Sequence, residues 1–109
     1  MNNYAMTFSK IDRRDISPIT IAIDWEDDRQ IYLSAKDLAP TLEMNMGDVI
    51  ELARDGSFTN DSSTFLKVQS VLSMLEKLDT TLCKRVHYWI SADIIPSIKS
   101  LPFGTPLKL

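Results

Sequence analysis

Two short runs of alternating apolar residues, with helix signals gathering after them, restrict this chain's fold more than any other feature. Ile19-Thr20-Ile21-Ala22-Ile23 and Gln30-Ile31-Tyr32-Leu33 both repeat with period two, which puts alternate side chains on one face of a strand. An acidic turn joins them, so the pair predicts a β-hairpin. Ser34 stands three residues before Asp37, the spacing of a helix cap, and predicts a short helix from Ala35 to about Leu42. Pro40 should kink that helix or restart it. Asn45 and Asp48 repeat the cap spacing ahead of a second short helix, which Asp55-Gly56 closes.

Beyond it the polar run from Ser57 to Thr64 reads as loop, and Thr64 to Val68 as a further strand joining the hairpin. Ser70 can cap a helix from Val71 to Leu78, and Asp79 or Thr80 can cap the next. In that last helix Leu82, Val86, Trp89, Ile90 and Ile94 form a continuous apolar stripe, with Trp89 as a core anchor. The expected fold class is α+β: a small antiparallel sheet packed with several α-helices, in one domain over residues 17–100. Residues 1–16 form an N-terminal segment and residues 101–109 an apolar C-terminal arm.

Composition bounds the function. At 109 residues and 44% hydrophobic content the chain can bury one core without disulfides or metals, and its lone Cys83 fits a reducing cytoplasm. The start lacks a signal peptide's layout, and no stretch nears the ~20 apolar residues of a membrane span. Net charge is −3, unevenly spread: residues 1–55 carry six basic and eleven acidic side chains, residues 56–109 six and four. Four acids, Asp24, Glu26, Asp27 and Asp28, fall in the hairpin turn, without the Gly and distal Glu of a calcium loop. Trp25 among them is either an interface residue or folded back over its own hairpin. Cys83 and His87 lie four apart on one helix face, but no third group completes a catalytic set, and two ligands make a poor zinc site. No enzyme activity, cofactor or metal is expected.

The segment Trp89-Ile90-Ser91-Ala92-Asp93-Ile94-Ile95-Pro96-Ser97-Ile98-Lys99 resembles the C-terminal signature of Bro-N domains. Tyr32-Leu33-Ser34-Ala35-Lys36-Asp37-Leu38-Ala39 resembles the strand-into-helix element of the same family, and Phe65-Leu66 through Leu75 its central strand and helix. Glu43-Met44 stand where the family commonly has Gly-Tyr, and Val86 where it has an aromatic. The resemblance implies either a phage or prophage antirepressor, which grips a repressor protein and frees its operator, or a transcription regulator that contacts nucleic acid directly. The acidic first half favours the protein partner, with Asp24, Trp25, Glu26, Asp27 and Asp28 as its contact residues. For the DNA reading the available bases are Lys84, Arg85 and Lys99. Leu101, Phe103, Leu107 and Leu109 are too apolar for a solvated end, so the arm should dock on its own domain or across a homo-oligomer.

Overall fold

A computed structural model describes residues 6–13 and 16–101. Among these described residues, five strands form one antiparallel sheet: β1 (Met6–Arg13), β2 (Ile16–Asp24), β3 (Gln30–Ser34), β4 (Phe58–Asn60) and β5 (Ser63–Lys67), in the spatial order β1-β2-β3-β5-β4. The period-two runs explain its centre. Ile21 lies opposite Leu33 and Ile23 opposite Ile31, and all four are buried on the side that meets the helices. The chain is thus α+β, as its pattern predicts.

Other strands were less legible. β1 falls ahead of residue 17, so the sheet takes in most of the segment expected to precede the domain. Its pairing with β2 shifts register between Ile11 and Arg13. The extra residue lies on β2, where Pro18 has no N–H to give the ladder. The run from Ser57 to Thr64 is not loop but mostly hairpin, with Phe58 opposite Phe65 and Asn60 opposite Ser63. Its turn places Asp61 and Ser62 at φ 51° and 68°, a left-handed pair usually marked by Asn-Gly and here unmarked.

Side chains stitch sheet to helices where the strands end. The Ser34 hydroxyl accepts from the Asp37 amide and opens α1 (Ala35–Thr41), while the Asp37 carboxylate accepts from the Thr20 amide at 2.8 Å. Asp37 therefore takes over the ladder bond that β3 can no longer supply once it turns into helix. Pro40 sits in the last turn of α1 and does not restart it; a helix this short has only one interior bond for the proline to remove. Asn45 caps α2 (Met46–Leu52).

The third helix departs from expectation at its start. α3 (Val68–Leu78) leaves β5 directly, with no side-chain cap. Ser70 lies inside its first turn and donates to the Asp55 carbonyl at 2.6 Å instead. Thr80 caps α4 (Thr81–Trp89) by accepting from the Cys83 amide. A π-helical turn, Ile90–Ile94, then carries the chain into α5 (Ile95–Lys99), the Ile95 amide reaching back five residues to the Ile90 carbonyl. Pro96 accounts for the widening: in a regular helix its ring would crowd the carbonyl of residue 92. The extra residue per turn still leaves Trp89, Ile90, Ile94 and Ile98 buried in the one core.

The opposite face of the sheet holds a second, smaller apolar group. Phe8 meets Phe65 edge-on at 5.4 Å, Phe65 stacks on Phe58 at 5.4 Å, and Phe58 meets Tyr32 edge-on at 4.8 Å. Phe8 and Phe65 belong to strands separated by two others, so they touch only because the sheet curls. Ala22 and Ser34, both under 5% exposed, form the floor of that curl and are small enough to let the rings close over them. Ala22→Leu should therefore destabilise the fold by roughly 1–3 kcal/mol through overpacking. An unchanged midpoint in urea would contradict this role for Ala22.

Candidate protein-binding site at the hairpin tip

The β2–β3 turn is built by nested hydrogen bonds. The Asp27 amide donates to the Asp24 carbonyl at 3.2 Å, the Gln30 amide to the Asp27 carbonyl at 3.0 Å, and the Glu26 amide to the Asp24 carboxylate at 3.2 Å. The second bend puts Asp28 and Arg29 at φ 52° and 59°, a left-handed conformation that costs an ordinary residue about 1–2 kcal/mol. Something must hold it there.

Trp25 and Arg29 supply the hold. Trp25 is not an interface residue: it is 3% exposed, packs in the main core, and its indole N–H donates to the Thr7 hydroxyl at 2.7 Å. Its polar neighbours in sequence concealed this, since the core it joins includes residues far along the chain. The Arg29 guanidinium lies 5.6 Å from the Trp25 ring centroid and donates to the carbonyls of Ile98 and Lys99. Those carbonyls end α5, where the Ile98 carbonyl also accepts from the Leu101 amide at 3.2 Å, so Arg29 serves as a cation at a helix C-terminus. The Gln30 side-chain amide donates to the Gln69 side-chain carbonyl at 2.7 Å and adds a tie to α3.

With Trp25 turned in and Arg29 engaged, the tip presents acid. Glu26, Asp27 and Asp28 are exposed and Asp24 is half-buried. Beneath them lies a cavity of about 240 Å³ whose walls include Asp27, Asp28, Arg29, Gln69, Ile95 and Lys99. Of the five tip residues expected to meet a partner, four therefore remain together at the surface.

The bases considered for nucleic acid do not gather into one patch. Lys99 borders the acidic cavity, while Lys84 lines a groove between α3 and α4 and pairs with Asp79 at 3.5 Å; the neighbouring Arg85 is exposed. Cys83 is buried, and His87 meets Glu76 of α3 at 3.1 Å, so the two sequence neighbours are engaged separately. Leu101 is half-buried against the core, whereas Phe103, Leu107 and Leu109 lie outside the described residues. Among the described residues no group of three acidic, His or Cys side chains is placed to hold a metal ion, and no helix is long and apolar enough to cross a membrane.

Comparison with protein-family models, curated proteins and solved structures returned no match. Arg29 is the site residue that sequence reasoning missed: its partners lie about seventy positions away, and nothing local distinguishes it from a solvated arginine.

Tyr32, on the aromatic face below the tip, registers the acidic field. Burial raises its phenol pKa, and the charges of Asp27 and then Asp24 raise it further. A raised folded value favours the neutral phenol, so its contribution to stability is complete below the ordinary tyrosine pKa and is lost as pH rises through the folded value. Ultraviolet titration should find Tyr32 ionising above the ordinary tyrosine value. Asp24→Asn with Asp27→Asn should bring it only part of the way back, because burial is the larger cause; full return to the ordinary value would contradict this ordering.

Proposed function

We propose that this protein acts as an antirepressor: it binds a transcriptional repressor through the acidic tip and keeps it off its operator. The observation that carries the reading is the tip itself, where Glu26, Asp27 and Asp28 are exposed on a turn tied to the core by Trp25 and to α5 by Arg29. A repressor offers the complementary chemistry, since the surface it uses on DNA is basic. Fixed carboxylates steer such a partner toward the tip even where each rim ion pair adds little affinity. Binding that excludes operator DNA then depletes the active repressor by mass action.

The resemblance to Bro-N domains supports the same reading and also admits direct DNA binding. Lys99 beside Asp27 and Asp28, and Lys84 paired with Asp79, weigh against the duplex as the main partner. Each phosphate neutralised should contribute a salt slope near −0.9, and the nearby carboxylates oppose that contact.

A mobility-shift assay with repressors from the same genome tests the proposal. One repressor should release its operator on addition of this protein and co-elute with it. Glu26→Gln, Asp27→Asn and Asp28→Asn together should slow that release about tenfold or more at low salt, and much less at high salt. A complete set of repressors that all keep their operators, or release unaffected by the triple substitution, would overturn the role given to the tip.

A further inference from the structure

We propose that β1 is a self-pairing edge through which two copies of this chain form one continuous ten-stranded sheet. β1 is eight residues long and contains no proline, and its outer side pairs with no strand among the described residues. The sheet's other edge, β4, is only three residues long. Long open edges are unusual in a chain that works alone, because their unpaired backbone groups template the addition of another strand. The irregularity beside Pro18 does not spoil this edge, since the extra residue is on β2 and β1 continues evenly through Asp12.

Charge selects the register. A twofold axis perpendicular to a sheet pairs antiparallel strands and keeps each face on its own side, so opposed residues must share a face. An axis at Lys10 would set Lys10 against its own copy, and an axis at Asp12 would do the same for Asp12. An axis at Ser9 would leave Asp12 opposite Met6, its charge unanswered. An axis at Ile11 alone sets Lys10 of each copy directly opposite Asp12 of the other. Both side chains are exposed, and among the described residues neither has an ion-pair partner. Opposite charges at directly facing positions stabilise a strand pair, and like charges destabilise it. The resulting dimer continues the curled aromatic face across the axis, with Phe8, itself 39% exposed, on that face in each copy. It does not depend on the repressor reading.

Sedimentation equilibrium of the full chain over a concentration series tests the proposal. A monomer–dimer equilibrium is expected. Lys10→Asp, which faces two acids with two acids, should raise the dissociation constant about tenfold or more, and Lys10→Asp combined with Asp12→Lys should restore it. Circular dichroism of each variant separates lost pairing from lost folding. Should Lys10→Asp fail to fold, Asp12→Asn serves instead, with weakened pairing expected. A monomer at every concentration, including one whose β1 amides are protected from exchange by the chain's own terminal residues, would overturn the proposal. A dimer indifferent to both single substitutions, or unrestored by the exchange of charges, would also overturn it.

Discussion

The contact of Arg29 with Trp25 and the end of α5 holds together parts of the chain that nothing in sequence connects. One face of the interaction is apolar and electrostatic, a guanidinium over an indole; the other is hydrogen bonding to two carbonyls at the C-terminal end of α5. Both depend on Arg29 adopting a left-handed backbone, which aims its side chain across the turn toward the helix. The strain of the turn and the closure of the last helix are therefore one feature. Because Trp25 is also tied to Thr7 of β1, the contact spans the first strand, the central hairpin and the last helix.

That arrangement explains why the acidic tip is an ordered surface rather than a solvated bend. An exposed turn with four acids in five positions would ordinarily fray under its own repulsion. Here the tryptophan among those acids is withdrawn into the core and the arginine after them is committed to α5, which leaves carboxylates as the groups a partner can meet. The same withdrawal removes Trp25 as a contact residue. Charge rather than aromatic anchoring is what the tip offers, and this favours fast, salt-sensitive encounter over tight, slow release.

The sheet's two sides illustrate what a sequence can and cannot disclose. Ile19, Ile21, Ile23, Ile31 and Leu33 announce the buried face because burial against helices demands an unbroken period-two pattern. The helix caps at Ser34, Asn45 and Thr80 were equally legible, since each acts on an amide two or three residues away. β4 was not legible: three residues carry no period, and its turn uses Asp-Ser where glycine would have signalled it. The π-helical turn left only Pro96 as a trace, and a proline there can equally open a new helix. At the site the acids were evident as a run, but the inward turn of Trp25 and the reach of Arg29 depend on residues distant in sequence, to which local pattern is blind.

Amide hydrogen exchange compared between the unaltered protein and Arg29→Ala tests the coupling most directly. If Arg29 holds both ends, amides of the 24–30 turn and of residues 98–101 should lose protection together, while those of the central strand pair at Ile21 and Leu33 keep theirs. Loss confined to the turn, with the end of α5 as protected as before, would show that the two are held independently and would contradict the account.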